Sequence, residues 1–245
     1  MPSLADGGVW VVVPYKGPAG SKSRLSALLD ESERARLSLA MLDGVLDAAL
    51  GARRVARVLV MLPEHAPAPE RHESRLEFVS ETPSSDDTPD DGSTTDGLNR
   101  VIIQAQAVAQ SAGASRLLIL PSDLPLVAAD DIEALITAAQ LSPIVISPDR
   151  ASEGTNALLL GPPIAIHPSF GVGSFERHQR LAAHAGLSAS VIRRWGLALD
   201  LDTPADVLRL LAIDQECRAA RLLHDLEILS RLAGIGLVQS APSGV

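Results

Sequence analysis

The chain has 245 residues, of which 46% are hydrophobic and only 2% aromatic, so a core of Ala, Leu, Val and Ile is expected. Its 21 Lys and Arg against 30 Asp and Glu give a net charge of −9, which disfavours nucleic-acid or anionic-membrane binding. The apolar runs are far shorter than a membrane span, and a single cysteine, Cys217, excludes an internal disulfide. These features predict a cytoplasmic protein with no membrane partner.

Strand-like and helix-like segments alternate along the chain, which predicts an α/β fold with a largely parallel sheet. The predicted strands are 9–13, 55–62, 76–79, 116–120, 144–147, 156–160, 189–192 and 197–201. The predicted helices are 30–50, 98–112, 130–140, 174–185, one that starts at 203–206, and one long helix over 213–235. Asp30 with Glu33 and Asp130 with Glu133 have the spacing of capping boxes. Residues 80–95 are expected to form a solvated acidic loop, and the last ten residues to be frayed.

The buried-strand pattern at 117–120 runs into Pro121-Ser122-Asp123-Leu124-Pro125. A carboxylate there lies at the carboxyl edge of the predicted sheet, where open α/β sheets bind ligands. Asp123 is therefore a candidate ligand for a divalent metal that contacts a phosphate. A turn aspartate before Pro125 explains this residue alone equally well.

A loop rich in glycine, serine and basic residues follows the first strand, from Pro14 to Leu25. Its Lys16, Lys22 and Arg24 could bind phosphate oxygens. A Walker A motif is excluded, because Lys22 follows Ser21 rather than glycine. The alternative is an ordinary solvated loop.

Asp200-Leu201-Asp202 closes the last predicted strand, so both carboxylates are expected on one side of the sheet. Two carboxylates at such a short distance repel each other unless a cation lies between them. As an alternative, Asp202 could cap the next helix. A fourth set combines residues 148–150 and 154–156 with the Gly171 to Ser174 turn before a helix, which could bind an anion through free backbone N–H groups. His178, one turn further on, is given no role.

These stretches, in this order, resemble the guanylyltransferases of deazaflavin coenzyme (factor 420) biosynthesis, known as 2-phospho-L-lactate or phosphoenolpyruvate guanylyltransferases. The matching residues are Pro14 to Leu25, Gly97-Leu98-Asn99, Pro121-Ser122-Asp123-Leu124-Pro125, Pro148-Asp149-Arg150, Gly154-Thr155-Asn156, Phe170-Gly171 with Gly173-Ser174-Phe175, and Asp200 with Asp202-Thr203-Pro204. The resemblance covers about residues 9 to 210. It implies a Rossmann-like nucleotidyltransferase sandwich (GT-A-like), with helices on both faces of a mostly parallel sheet.

The resemblance also implies transfer of GMP from GTP to phosphoenolpyruvate, 2-phospho-L-lactate or 3-phospho-D-glycerate, with release of pyrophosphate. The Mg²⁺ ligands it implies are Asp123, Asp200 and Asp202. Lys16, Lys22 and Arg24 would face the triphosphate, and Gly97, Leu98 and Asn99 the nucleoside. The residues it implies for the acceptor acid are Thr155, Gly171 and Ser174.

Residues 1–212 are expected to form the nucleotidyltransferase domain, and 213–245 a C-terminal helical extension and tail. A homodimer, and hand-over of the product to the next enzyme of the pathway, are further expectations. Two alternatives stay open: another nucleotidyltransferase or a nucleotide-sugar glycosyltransferase of the same fold, since Asp200-Leu201-Asp202 has an Asp-x-Asp form, or a non-catalytic nucleotide-binding protein.

Overall fold

The structure is a computed structural model that describes residues 8–17, 22–64, 66–82, 94–213 and 215–234. Its strands are β1 (Val9–Pro14), β2 (Val55–Leu62), β3 (Leu76–Ser80), β4 (Arg116–Ile119), β5 (Ile144–Pro148), β6 (Thr155–Leu160) and β7 (Ala189–Val191). Its α-helices are α1 (Glu31–Gly51), α2 (Thr94–Ser111), α3 (Ala129–Ala138), α4 (Ser174–His184), α5 (Trp195–Ala198), α6 (Pro204–Leu211), α7 (Arg218–Asp225) and α8 (Ile228–Gly234). A short 3-10 helix covers Ser23–Leu25.

The strands form one sheet in the order β3-β2-β1-β4-β6-β5-β7. Neighbouring strands are parallel except at β6, which is antiparallel to both β4 and β5. The chain order reverses beside β1, which lies between β2 and β4, and such a switch point is where open α/β sheets bind ligands. Because Ile119 of β4 pairs with Leu158 of the antiparallel β6, the start of β6 at Thr155 lies at the carboxyl edge of β4. The predicted largely parallel sheet is confirmed.

Two apolar layers cover the two faces of the sheet. Val11 and Val13 of β1 belong to the layer that includes α1 and α3, whereas Val12 belongs to the layer that includes α2 and α4. This alternation follows from the two-residue period of a strand, and it explains why β1 reads as a continuous apolar run. The expected helices on both faces are thereby observed.

The C-terminal helices pack against the segment that follows the basic loop. Leu25 and Leu29 share one buried cluster with residues of α1, α6, α7 and α8. Arg231 of α8 donates to both carboxylate oxygens of Glu33 at 2.7 and 2.8 Å and to the Leu28 carbonyl oxygen at 3.0 Å. Whether residues 213–234 form a separate unit beyond a boundary at 212 stays a prediction.

The predicted strand at 197–201 is wrong, because this segment is a short helix, α5, followed by an irregular stretch. Its carbonyl groups accept hydrogen bonds from a side chain and from a loop N–H, rather than from the backbone N–H groups of a neighbouring strand. Asn156 Nδ2 donates to Leu197 O at 2.9 Å, and the Arg150 N–H donates to Ala198 O at 3.0 Å. Strand alternation therefore does not set the directions of the Asp200 and Asp202 side chains.

Three smaller predictions also need correction. The helix over 213–235 is interrupted: α7 ends at Asp225 and α8 begins at Ile228, with Glu227 in a left-handed conformation (φ 50°). The capping contact of α3 uses Asp131, which accepts the Ala128 N–H at 3.0 Å, because the N-cap is Ala128 and Asp131 is the third residue of the helix. The Glu133 carboxylate is bound by Arg54. Helix α2 begins at Thr94, earlier than predicted.

Several sequence predictions concern residues that lie outside those the structure describes. These are residues 18–21 of the basic loop, 83–93 of the acidic loop, and the tail from residue 235. Within the described part of the chain, no helix is both long and apolar enough to cross a membrane.

Candidate functional site

A cavity of about 360 Å³ opens at the carboxyl edge of β1 and β4, which is the switch point of the sheet. It is surrounded by the ends of β1 and β4, by the basic loop that follows β1, and by apolar side chains from α1 and α2. Its lining comprises residues 14–17, 22–24 and 121–123 together with Ser38, Met41, Leu98, Ile102, Ile119, Phe170 and Asp202. The cavity thus combines a charged rim with an apolar wall, which suits a nucleotide.

Lys22 joins the two acidic segments of the site. Its Nζ donates to Asp123 Oδ2 at 2.9 Å and to Asp202 Oδ1 at 2.7 Å. The Lys22 side chain is only 8% exposed, and burial alone would lower its pKa. The two carboxylates outweigh burial and hold the pKa of Lys22 well above its usual range, so the ammonium stays charged.

The two carboxylates of Asp200-Leu201-Asp202 differ in protonation behaviour. Burial raises the pKa of Asp200 to about 6, and the nearby Asp123 and Asp202 add to the effect. Burial alone would also raise the pKa of Asp202. The nearby positive charges of Lys22, Arg24 and Lys16 outweigh burial and bring this pKa below its usual value. The segment is fixed beside Asp123 by the Leu201 N–H, which donates to the Asp123 carbonyl oxygen at 3.1 Å.

The structure brings Asp123 and Asp202 to one point, because each accepts a hydrogen bond from the same ammonium. Asp200 is close enough to repel both carboxylates. Even so, among the described residues no group of three His, Cys, Asp or Glu side chains has a geometry that could hold a metal ion. Asp123 and Asp202 are therefore brought together, whereas the role of Asp200 as a third metal ligand stays a prediction.

Lys16 and Arg24 are exposed and line the cavity rim. Lys22 adopts a left-handed backbone conformation (φ 56°) immediately before the short Ser23–Leu25 helix, whose Leu25 is fully buried. This turn lets the buried Lys22 side chain reach the carboxylates while Arg24 stays at the rim. The three basic residues singled out in the sequence thus line one cavity, and their contact with a triphosphate stays a prediction.

The sequence Gly97-Leu98-Asn99 lies inside α2, which begins before the predicted start at residue 98. Leu98 lines the cavity. Asn99 accepts the Phe170 N–H at 2.7 Å and donates to the Phe170 carbonyl oxygen at 3.3 Å, and the Phe170 ring also lines the cavity. Asn99 therefore fixes a cavity wall, and contact of these residues with the nucleoside stays a prediction.

A buried polar network links β6 to α4 beside this wall. Ser174 Oγ donates to Thr155 Oγ1 at 3.3 Å, and Thr155 Oγ1 lies 3.0 Å from His178 Nδ1. The Ser169 N–H donates to His178 Nε2 at 2.9 Å. Thr155 and Ser174, both expected at the acceptor, are thus brought together, and His178 joins them although no role was predicted for it.

The predicted anion site at the start of α4 has fewer free donors than expected. The Ser174 N–H donates to Gly171 O at 3.0 Å, and the Phe175 N–H donates to Glu153 O at 3.2 Å. Gly171 has a positive φ of 119°, which explains why glycine stands there. The acceptor role of Thr155, Gly171 and Ser174 stays a prediction that relies on hydroxyl groups more than on these two amides.

Sequence reasoning missed the wall that α1 provides. Ser38 and Met41 line the cavity, and Ser38 Oγ donates to the Tyr15 hydroxyl oxygen at 3.4 Å. Burial raises the pKa of Tyr15, so the phenol is neutral at pH 7. Both α1 residues look like ordinary helix positions in the sequence, and only the packing of α1 against β1 identifies them.

Comparison with known proteins gives one family over nearly the whole chain. Residues 9–232 match the family described as "Guanylyl transferase CofC like". The phosphoenolpyruvate guanylyltransferase of Rubrobacter xylanophilus is 43% identical over 205 residues, which are 82% of this chain and 93% of that protein. The 3-phospho-D-glycerate guanylyltransferase of Phenylobacterium zucineum is 32% identical over 219 residues, 88% of this chain and 95% of that protein.

A solved structure from Desulfovibrio desulfuricans G20, assigned to the nucleotide-diphospho-sugar transferases, has the same fold. It superimposes with a TM-score of 0.68 at 17% identity and covers 91% of this chain and 96% of that chain. At this identity the likeness concerns the fold alone. It agrees with the Rossmann-like nucleotidyltransferase sandwich expected from the sequence.

Proposed function

This chain belongs to the CofC-like guanylyl transferase family, and we propose that it transfers GMP from GTP to phosphoenolpyruvate at the Lys22–Asp123–Asp202 cluster. Guanylyl transfer to a small phosphorylated acid in deazaflavin coenzyme biosynthesis is the activity of the family. The observation that carries the proposal is the convergence of two carboxylates and a buried lysine on one wall of a nucleotide-sized cavity. The choice of acceptor rests on the relative that is 43% identical.

The proposed reaction needs no nucleophile from the protein. An oxygen of the acceptor phosphate attacks the α-phosphorus of GTP, a new P–O–P bond forms, and the bond to the β-phosphate breaks to release pyrophosphate. Because a phosphate is already ionised near pH 7, no general base is required. That agrees with the cavity lining, in which no histidine or cysteine is found among the described residues.

The basic residues would place the triphosphate. Lys16 and Arg24 are exposed at the rim, where they can meet the outer phosphates of an entering nucleotide. Lys22 is buried and charged beside the carboxylates, so it can neutralise charge near the α-phosphate. This arrangement concentrates positive charge in a protein whose net charge is −9.

The donor set fits Mg²⁺. Carboxylate oxygens are the protein ligands that this ion prefers, and it commonly takes one or two of them together with substrate phosphates. Asp123 and Asp202, which meet at Lys22 Nζ, would provide these ligands, and Asp200 is the candidate for a further one. When bound, the ion would neutralise charge that develops on the reacting phosphates.

Pyrophosphate release tests the proposal. The protein with GTP and Mg²⁺ is expected to release pyrophosphate with phosphoenolpyruvate, and to be slower with 3-phospho-D-glycerate and 2-phospho-L-lactate. A chelator should abolish release, and added Mg²⁺ should restore it. Faster turnover with either of the other two acids would identify that acid as the preferred acceptor instead of phosphoenolpyruvate. No release with any of the three would contradict guanylyl transfer by this chain. A homodimer and direct hand-over of the product stay predictions.

A further inference from the structure

His178 is the fully buried centre of the polar network beside the cavity, with 0% of its surface exposed. Its ring contacts three residues from two segments of the chain. Nδ1 faces Thr155 Oγ1 of β6, Nε2 accepts the Ser169 N–H, and the ring packs edge-on against Phe170, with centroids 5.0 Å apart. Phe170 lines the cavity, so His178 lies between that wall and the predicted acceptor residue Thr155.

The contacts of His178 fix its tautomer. A backbone N–H can only donate, so Nε2, which receives the Ser169 N–H at 2.9 Å, must be the unprotonated nitrogen. In a neutral imidazole the proton is then on Nδ1, which donates to Thr155 Oγ1. Burial supports the neutral form, because it lowers the pKa of His178 to about 4, with a smaller contribution from Arg177.

The Thr155 oxygen therefore accepts two hydrogen bonds, one from His178 Nδ1 and one from Ser174 Oγ. Its own proton cannot point at either donor. Within the described part of the chain, no contact shows a protein acceptor for this proton. A buried hydroxyl with an unused donor is costly unless a ligand accepts the bond, and Thr155 is only 5% exposed.

We propose that His178 is a positioning residue that orients the Thr155 hydroxyl so that it donates its proton to an oxyanion of the acceptor acid. The inference rests on the proposed function, since it takes Thr155 as a contact of that acid. On this proposal, a neutral hydrogen-bond donor, rather than a cation, discriminates between acceptor acids. The same ring braces Phe170, which links the acceptor end of the site to the nucleotide cavity.

Three variants separate this role from simple packing. His178→Phe keeps an aromatic ring, although a larger one, and loses both hydrogen bonds. His178→Gln keeps an acceptor that can reach the Ser169 N–H but loses the short donor to Thr155, whereas His178→Asn keeps that donor. His184→Phe, at an exposed position on the same helix, is the matched control.

Steady-state kinetics with GTP and phosphoenolpyruvate give the readout. For His178→Phe, we expect the acceptor KM to rise about five- to tenfold, the effect of one oriented hydrogen bond, with the GTP KM and kcat nearly unchanged because an aromatic ring still packs against Phe170. His178→Gln should show the same rise in the acceptor KM, and the loss of the ring should add a smaller rise in the GTP KM. His178→Asn should return the acceptor KM to within about twofold of the wild type, and Thr155→Val should match His178→Phe.

The outcomes are distinguishable. An active wild type with an unchanged acceptor KM in His178→Phe would overturn the role of His178 and leave the proposed function standing. Equal rises for the Phe, Gln and Asn variants, parallel to their losses of melting temperature, would reduce His178 to packing and also overturn it. A wild type that makes no product would overturn the proposed function and this inference together.

Discussion

The two polar clusters of this site lie at one sheet edge and are built in opposite ways. The Lys22–Asp123–Asp202 cluster is charged, and its carboxylates are 27% and 42% exposed. The His178–Thr155–Ser174 cluster is neutral, and its members are 0%, 5% and 1% exposed. Under the proposed function, the charged cluster would bind the triphosphate and the oriented neutral donors would bind the smaller acid.

Substitution of Asp123 should break the charged cluster most severely. Asp123→Asn removes one carboxylate from Lys22 and from the proposed metal ligands while keeping the shape of the side chain. We expect kcat/KM for pyrophosphate release to fall about 100-fold or more, because charge stabilisation near reacting phosphates is lost. Asp130→Asn, at an exposed position in α3, is the control and should be near wild type. Equal activity of the two variants would remove Asp123 from the site.

Removal of the Lys22 charge tests the same cluster from its cationic side. Lys22→Gln leaves Asp123 and Asp202 without their shared partner, so the pKa of Asp202 should rise from its lowered value. We expect about a ten- to 100-fold loss of kcat/KM and an acidic limb of the pH–rate profile shifted to higher pH. A profile that falls in height without moving would show that Lys22 does not control the ionisation of Asp202.

Asn99 links the neutral cluster to the nucleotide cavity, and its substitution should have a smaller effect. Asn99→Ala removes both hydrogen bonds to the Phe170 backbone. We expect the GTP KM to rise about threefold to tenfold as the cavity wall loosens, with kcat little changed. Gln110→Ala, exposed on the same helix, is the control. A large fall in kcat would instead indicate direct action on the reacting groups.

The pH dependence of the free energy of unfolding should also distinguish the two clusters. This is the smallest of the expected effects. The pKa of His178 is lowered from 6.5 to about 4, so unfolding takes up a proton between these values and stability falls as pH drops through them. The pKa of Asp200 is raised from 3.8 to about 6, so folding takes up a proton there and its contribution grows as pH drops.

Denaturant unfolding at pH 7 and pH 5 in metal-free buffer measures these opposite contributions. Relative to the wild type, His178→Phe should lose less stability on acidification, and Asp200→Asn should lose more. Changes between the two pH values are compared, since each substitution also alters packing at both. Identical changes in the three proteins would contradict the assigned protonation states.

The charged cluster could be predicted from sequence because each of its parts carries a local signal. Asp123 follows a buried apolar run, and Lys22 and Arg24 lie in a Gly/Ser-rich segment after the first strand. The route for Asp202 was wrong, because α5 replaces the predicted strand and the Leu201 N–H fixes the segment through Asp123 O. Asp202 therefore meets Asp123 at Lys22 for a geometric reason other than the predicted strand alternation, and its role as a metal ligand stays a prediction.

The place of His178 in the neutral cluster could not be predicted, because its signal is tertiary, although Thr155 and Ser174 were both expected at the acceptor. A lone histidine on a helix has no distinguishing sequence context, and the role of His178 depends on an antiparallel β6 that brings Thr155 to the same edge. The ion pair between Arg231 of α8 and Glu33 could not be predicted either, since the sequence shows only an amphipathic C-terminal stretch.

Product analysis with phosphoenolpyruvate labelled by ¹⁸O in its phosphate tests the central claim most directly. If the acceptor phosphate attacks the α-phosphorus of GTP at this site, mass spectrometry should find GMP joined to phosphoenolpyruvate with all the label retained. The released pyrophosphate should carry none. Label in pyrophosphate, or a guanylyl product without the acid, would contradict the account.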